Sequence, residues 1–253
     1  MLVLEIELLT GVYRAALPDG SGAEWPPHPE RVFSALAQAW GDGGCDAKER
    51  AALEWLERQG APSIDADGPQ DWAERDAPIV FVPPNDSRGS EIAVLPDRRR
   101  RQGRSFRAAI PAAPIVRLAW AQALPSADHH TALTRLAQRV ANLGHSASLV
   151  RCAFVEETQA SEERQWKPSV EGSVSLRVPH PGRLHELARW HEADERPRAG
   201  ATARYRPPGE AKISEMPKSV FGGPDDWFVF ESEGARRSIC LPLPMLRSVC
   251  AIA

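Results

Sequence analysis

The chain opens with the segment Met1-Leu-Val-Leu-Glu-Ile-Glu-Leu-Leu9, in which apolar and acidic residues alternate. Successive side chains of a β-strand point to opposite faces, so Leu4, Ile6 and Leu8 share one face and the two glutamates share the other. This pattern predicts a half-buried strand. Because the acids interrupt the apolar run and no basic leader precedes it, we expect a strand here rather than a signal peptide.

Helical periodicity follows this strand. Apolar residues recur at the spacing of an α-helix from Val32 to Trp40, and Pro29 stands where proline is favoured, at the first helical position. The pattern predicts a helix over residues 29–40 that Gly41 ends. A second helix is predicted over residues 48–58.

The next segments complete a recognisable order. Apolar positions up to Leu143 form the stripe of a helix that Ser126 caps and Gly144 ends. Strands, the first of them buried, are predicted over residues 79–82, 115–120 and 149–155. Strand, helix, strand, strand, helix, strand, with one extra helix, is the split βαβ or ferredoxin-like arrangement. We therefore predict an α+β fold with a ferredoxin-like, RRM-type core over about residues 1–158.

The remaining third of the chain predicts a less regular extension. A strand is expected over residues 173–178, a short helix over 184–191, irregular structure over 193–210 and a strand over 227–230. Residues 241–253 have the apolar spacing of an amphipathic helix that stops without a cap, so we expect this chain to be the front part of a longer one.

The composition limits the class of protein. The chain has 253 residues, of which 42% are hydrophobic and 26% charged, and its formal net charge is −3. A non-specific nucleic-acid coat protein would be basic throughout, and no apolar run approaches the ~18 residues of a membrane span. The cysteines form no C-x-x-C pair, so we expect reduced thiols in the cytoplasm rather than disulfides or a zinc site; they are Cys45, Cys152, Cys240 and Cys250.

Positive charge is concentrated in Arg98-Arg-Arg-Arg101-Gln-Gly-Arg104-Ser-Phe-Arg107, which holds six arginines and no acid. In the predicted order this segment connects the second and third strands, where an extended basic hairpin or loop could form. Planar guanidinium groups match phosphate oxygens, and an aromatic such as Phe106 can stack on an unpaired base. The pattern favours nucleic-acid binding; a solvated basic loop or a tether to an acidic partner is the alternative.

A second candidate segment follows the predicted helix end. Gly144-His145-Ser146-Ala147-Ser148 lacks the final glycine of a nucleophile elbow and follows a helix instead of a strand. Either it is an ordinary turn after a helix, or its small residues let RNA phosphates and sugars approach the backbone.

Catalytic signals are weak. Metal-independent RNA cleavage needs a general base and a general acid, but no spacing pairs the candidate histidines His28, His129, His130 and His145. The segment from His185 begins like a zinc-binding helix, yet Arg189 stands where the second histidine belongs. No Walker or Rossmann phosphate loop is present in the sequence.

Three segments together point to a family: Ala23-Glu-Trp-Pro-Pro-His-Pro-Glu-Arg-Val-Phe-Ser-Ala-Leu36, Leu95-Pro-Asp-Arg-Arg-Arg-Arg-Gln-Gly-Arg-Ser-Phe106 and Leu143-Gly-His-Ser-Ala-Ser-Leu-Val-Arg151. In this order they resemble the front half of the type I-G (formerly I-U) CRISPR-associated fusion proteins, which join a Cas-five-like unit to a Cas-six-like unit. The resemblance covers roughly residues 1–240.

The resemblance implies an RRM/RAMP-type fold that holds the 5′ handle of the CRISPR RNA (crRNA) at one end of the Cascade surveillance complex. The helix over residues 29–40 would contribute to the RNA-facing surface, and residues 98–107 match the thumb hairpin that reaches over the RNA towards the adjoining backbone subunit. Family members cleave pre-crRNA in their Cas-six-like half. This chain ends where that half would begin, so we expect the cleavage residues to be absent.

We therefore predict a Cas-five-like RNA-binding domain over residues 1–232 and the start of a second domain over 233–253. The expected partners are the crRNA handle, the Cascade backbone and large subunits and, through the complex, target DNA, with no membrane, metal or cofactor. The alternatives are a metal-independent pre-crRNA endoribonuclease and a module that docks an acidic protein. The predicted RNA-binding residues are Arg98, Arg99, Arg100, Arg101, Arg104, Phe106, Arg107, His145, Ser146 and Ser148.

Overall fold

The computed structural model describes residues 1–17, 19–75, 79–82, 102–104, 106–155, 162–210, 227–232 and 235–242. Its helices are α1 (Pro29–Asp42), α2 (Ala47–Leu56), α3 (Ala127–Arg139) and α4 (Arg183–Glu192). Its strands are β1 (Leu2–Leu8), β2 (Ser63–Asp65), β3 (Trp72–Arg75), β4 (Val80–Val82), β5 (Gln102–Arg104), β6 (Ala108–Pro111), β7 (Ile115–Trp120), β8 (Val150–Val155), β9 (Gln165–Pro168), β10 (Val174–Val178), β11 (Ala201–Arg206), β12 (Trp227–Ser232) and β13 (Ala235–Pro242).

Seven of the described strands form one antiparallel sheet in the order β10-β11-β9-β2-β7-β1-β8. Separate antiparallel pairs join β3 to β6, β4 to β5, and β12 to β13. The architecture is α+β, as the sequence predicts. Within the described ranges, no helix has the length and apolar character needed to cross a membrane.

Strand β1 forms as its alternating pattern predicts and lies between β7 and β8. Leu4 and Ile6 are fully buried in the core, together with Phe33 of α1 and Leu133 of α3. Removing one such side chain from water contributes roughly 1.5–3 kcal/mol. The apolar face of β1 is therefore where the helices pack on the sheet.

The predicted helix starts are confirmed. Pro29 is the first residue of α1, and the Ser126 Oγ caps α3 by accepting a hydrogen bond of 3.2 Å from the backbone N–H of His129. The helix ends differ from the prediction. Helix α1 continues past Gly41 to Asp42, and α3 ends at Arg139, five residues before Gly144.

The second strand of the core is β2, not the segment over residues 79–82. Strand β4 does form there, but it pairs with β5 and is not buried, since the Phe81 side chain is 62% exposed. Ser63–Asp65 escaped prediction because three residues are too few to show an alternating pattern. The continuous apolar run Ile79-Val-Phe-Val82 is typical of a buried strand, yet Ile79, Val80 and Phe81 are exposed.

Two further predictions on the C-terminal side are wrong. Residues 193–210, expected to be irregular, contain β11, which pairs with both β10 and β9. Leu241 and Pro242, expected to begin a helix, end strand β13, and residues 243–253 lie outside the described part of the chain. In both places strand pairing outweighed the local composition: β11 pairs with β10 and β9, and β13 pairs with β12 in a hairpin.

A buried ion cluster joins distant parts of this fold. The Glu24 side chain is fully buried and accepts hydrogen bonds of 2.8 Å from the Tyr13 hydroxyl, 2.8 Å from the Arg31 Nε and 2.6 Å from an Arg177 Nη. Arg177 also donates from its Nε to the His28 Nδ1 at 3.1 Å. The cluster ties the start of α1 to the segment after β1 and to β10.

The cluster shifts the pKa values of its titratable members. Burial alone would raise the pKa of Glu24, but the hydrogen bond from Arg31 and the neighbouring positive charges outweigh it and bring that pKa down to about 2. Burial, helped by the charges of Arg177 and Arg31, lowers the pKa of His28 to about 4. His28 is therefore neutral at pH 7, as its acceptor role requires.

Acid should destabilise the fold well before ordinary carboxylates titrate. The folded pKa of His28, about 4, is below its ordinary value of 6.5, so the unfolded chain takes up the proton first. Its contribution to stability is complete above about pH 6.5 and is lost as the pH falls through 4. We expect the free energy of unfolding to fall by on the order of 3 kcal/mol over that window, measured by urea denaturation at constant ionic strength.

The matched variant is His28→Asn, which keeps an acceptor for Arg177 but does not titrate. Its stability should be flatter between pH 6.5 and 4, and both proteins should lose stability below pH 4.5 as Glu24 titrates. Equal slopes in the two proteins over the upper window would show that His28 does not carry the effect.

Candidate nucleic-acid interface

The arginine segment contains β5 and ends just before β6. These strands belong to two antiparallel pairs, β4 with β5 and β3 with β6, which together are called the ribbon. In the ribbon, Trp72↔Pro111 and Arg75↔Ala108 are partners in the β3–β6 pair, and Val80↔Arg104 and Val82↔Gln102 are partners in the β4–β5 pair. The backbone of Arg104 is thus in β5. Arg98, Arg99, Arg100 and Arg101 lie outside the described residues.

Phe106 and Arg107 lie between β5 and β6 of the ribbon. The Phe106 ring contacts the His145 imidazole edge to face, with 5.1 Å between centroids and 68° between planes. Arg107 donates to Glu74 of β3 at 2.6 Å. The structure therefore brings together members of the two separate segments that the sequence singles out.

The turn over residues 143–148 is held against the segment after β1. The backbone N–H of His145 donates to the Arg14 carbonyl at 2.9 Å, and the backbone N–H of Arg14 donates to the Ser148 Oγ at 2.6 Å. Ser148 is fully buried, so its hydroxyl positions the turn. Ser146 is exposed at the tip, and His145 is half-buried below it.

Gly144 makes this close approach possible. Its φ of +80° lies in the left-handed region, and a Cβ there would stand 2.8 Å from the Arg14 carbonyl oxygen. The sequence predicts Gly144 as a helix terminator; its position is instead set by the contact with Arg14.

Arg14 is a candidate site residue that sequence reasoning missed. It is half-buried beside the turn, and within the described ranges its guanidinium has no hydrogen-bond or ion-pair partner. A lone arginine between two apolar residues gives no local signal. Only its hydrogen bonds to His145 and Ser148 place it at the interface.

The sheet face opposite the helices offers a poorer surface for nucleic acid. Arg117 donates to Glu5 at 2.9 Å and to Asp65 at 3.2 Å, and Arg151 pairs with Glu7 at 2.5 Å. No aromatic side chain is in register on this face of β1 or of the strand residues paired with it. RRM modules stack bases on aromatics at this face, so the means to do so is missing here.

The remaining histidine candidates do not assemble a catalytic pair. His28 is 4% exposed and engaged by Arg177, while His129 contacts Trp55 and His130 contacts Phe154. In the part of the chain that the structure describes, no group of three or more His, Cys, Asp or Glu side chains is placed to hold a metal ion.

The turn contact can be tested with two glycines of nearly equal backbone conformation. Gly144 and Gly209 have φ values of +80° and +79°, but only Gly144 has neighbours within 4 Å of an added Cβ. Gly209→Ala should cost about 1–2 kcal/mol of stability from backbone strain alone. Gly144→Ala should lower the free energy of unfolding by about 1–3 kcal/mol more than Gly209→Ala does, because its Cβ also clashes with Arg14. Urea denaturation measures both losses. Equal losses would mean that the turn yields freely.

Comparisons with known proteins place the chain in a family. Residues 4–213 match the GSU0054 family of CRISPR-associated proteins. A crystal structure of a CRISPR protein from Archaeoglobus fulgidus is similar at a TM-score of 0.40 and 14% identity, over 92% of this chain and 95% of that one. Similarity at that level shows neither a shared fold nor a shared function. A search of curated proteins finds no match. Since the family match covers most of the sequence, the chain belongs to the GSU0054 family of CRISPR-associated proteins.

Proposed function

We propose that this protein is an RNA-binding subunit of a type I-G Cascade complex and holds the 5′ handle of the crRNA. Membership of a CRISPR-associated family supports a role in CRISPR defence. The observation that carries the RNA-binding part is the contact between Phe106, near the end of the arginine segment, and His145, in the turn beside Arg14.

The strand order supports the proposed RRM/RAMP-type fold. Strands β2, β7, β1 and β8 are adjacent and antiparallel, with α1 between β1 and β2 in sequence and α3 between β7 and β8. This is the order of a ferredoxin-like split βαβ core. The ribbon is inserted between its second and third strands, where the resemblance places a thumb hairpin.

The chemistry of the interface suits a single strand. Phe106 and His145 offer ring surfaces on which an unstacked base can lie, and Arg14, whose guanidinium has no ion-pair partner among the described residues, is available to a phosphate. Arg98, Arg99, Arg100, Arg101 and Arg104 would follow the backbone phosphates, and the exposed Ser146 would contact a phosphate or sugar. No metal is needed for such binding.

The proposal includes the Cascade backbone and large subunits as partners and target DNA reached through the complex. The division into residues 1–232 and 233–253 stays a prediction; its boundary falls between the paired strands β12 and β13. The two alternatives, a pre-crRNA endoribonuclease and a module that docks an acidic protein, are outcomes of the experiment below.

Removing the arginines should weaken RNA binding and make the remaining binding less dependent on salt. The variant R98A/R99A/R100A/R101A/R104A is titrated against 5′-labelled RNA derived from the CRISPR repeat. If all six arginines of the segment neutralise phosphates, log affinity of the wild type should fall against log salt with a slope of about −4, and the variant should lose about 3.5 of that slope. A wild-type slope near zero would contradict the proposal.

The matched control removes the same charge elsewhere. Arg58, Arg135, Arg189, Arg196 and Arg204 are exposed and form no ion pair within the described residues, and changing all five to Ala should leave the site intact. Equal loss in both variants would indicate a non-specific charge effect. Cleaved RNA on a denaturing gel in EDTA would favour the endoribonuclease, and protein partners retained after RNase treatment would favour the docking module.

The ring pair has its own test. Phe106→Ala should weaken binding of the same RNA by about 1–3 kcal/mol, as expected for one lost stacking surface. The double variant Phe106→Ala/His145→Ala should lose less binding free energy than the sum of the two single losses, because the two rings form one surface. Leu149→Ala, an exposed apolar neighbour of the turn, is the control and should change affinity less than about twofold. Full additivity would mean that the rings act separately.

A further inference from the structure

A cleft lined by arginines lies between α1, β10, α4 and the segment before β11. Its volume is about 140 Å³, whereas one water needs roughly 10–15 Å³ on the same measure. The polar residues that line it are Glu30, Arg31, Ser34, Arg177, Arg183 and Arg198.

Positive charge is in excess around the cleft. Three of its four arginines pair with three carboxylates: Arg31 and Arg177 with Glu24, and Arg183 with Glu30 and Glu186. Four positive and three negative charges leave a net charge of +1. Arg198 is exposed and has no side-chain partner among the described residues, so the excess charge resides at the rim of the cleft.

The ion cluster holds guanidinium groups in place without using all of their N–H donors. Glu24 engages the Nε and one Nη of Arg31 and one Nη of Arg177, and the other Nη group of each guanidinium has no partner among the described residues. The Nε of Arg183 is buried and has no acceptor in the part of the chain that the structure describes. A guanidinium carries five N–H donors in a rigid fork, so a carboxylate on one side leaves the other free for a second anion.

A purely structural role accounts for only part of this arrangement. Glu24 and Glu30 suffice to tie α1 to β10 and α4 through Arg31, Arg177 and Arg183. The backbone carbonyl of Arg198 accepts a hydrogen bond of 2.8 Å from Arg183, but among the described residues its side chain takes no part in those ties. Its guanidinium adds charge to a cleft whose other arginines are already held in place.

We propose that this cleft is a second anion site, in which Arg31, Arg177 and Arg198 bind a phosphate group. Buried Glu24 fixes two of the guanidiniums before the ligand arrives, which lowers the entropy lost on binding. The phosphate is either a phosphodiester of a bound strand or a free phosphate ion. The inference does not depend on RNA binding at the ribbon.

The test uses the full chain and inorganic phosphate, with chloride at equal ionic strength as the reference. Calorimetric titration and the melting temperature should both report saturable binding to the wild type. Arg198→Gln should weaken phosphate binding about tenfold, the loss of one charge-assisted contact of about 1.4 kcal/mol. Arg196→Gln, two residues away and also exposed, should change it less than twofold, approximately.

A second pair of variants keeps every arginine. Ser34→Asp places a negative charge in the cleft and should abolish phosphate binding, whereas Gln38→Asp, one turn later on α1 and exposed, should not. Circular dichroism checks that all four variants fold. Absence of saturable phosphate binding by the wild type, or equal effects within either pair, would overturn the proposal.

Binding of a short single-stranded RNA distinguishes the two sources of the phosphate. If the site takes a phosphodiester, Arg198→Gln and Ser34→Asp weaken RNA binding and free phosphate competes with the RNA. If the site takes free phosphate, the two variants bind RNA as the wild type does. If the wild type binds no RNA at all, the proposed function is wrong. The phosphate titration would still show whether the cleft binds an anion.

Discussion

The buried carboxylate of Glu24 is the constraint on which much of the structure depends. An ionised carboxylate without partners in a protein interior is strongly unfavourable, so its location requires Tyr13, Arg31 and Arg177 to converge on it. These residues come from the segment after β1, from α1 and from β10. One acid therefore links the first core strand, the first helix and the C-terminal half of the sheet.

The same cluster connects the two candidate sites. Tyr13 pairs through its backbone with Ala109 of β6, at the base of the ribbon, and through its hydroxyl with Glu24. Its neighbour Arg14 holds the turn that presents His145. On the other side of Glu24, Arg31 and Arg177 line the cleft. The ribbon base and the cleft are thus positioned by adjoining contacts, although each has its own charged residues and its own test.

Local patterns predicted the helices and most of the long strands, and they named Phe106 and His145 as site residues. They could not predict that these two rings meet, because the contact depends on how the ribbon and the turn are placed by Tyr13, Arg14 and Ala109. Ser148 illustrates the same limit. A serine in a turn is equally suited to bind a ligand or to brace the backbone, and the structure shows it bracing Arg14.

What the sequence determined by itself is local: the alternation that makes β1 a strand, the caps and stripes of α1 and α3, and the concentration of arginines over residues 98–107. The tertiary structure alone decided which apolar runs are buried, since β2 enters the sheet while β4 is exposed on the ribbon. It alone gathered Arg31, Arg177 and Arg198 around one cleft. The physical reason is range: strand and helix propensity act between near neighbours, whereas burial and charge pairing join residues more than a hundred positions apart.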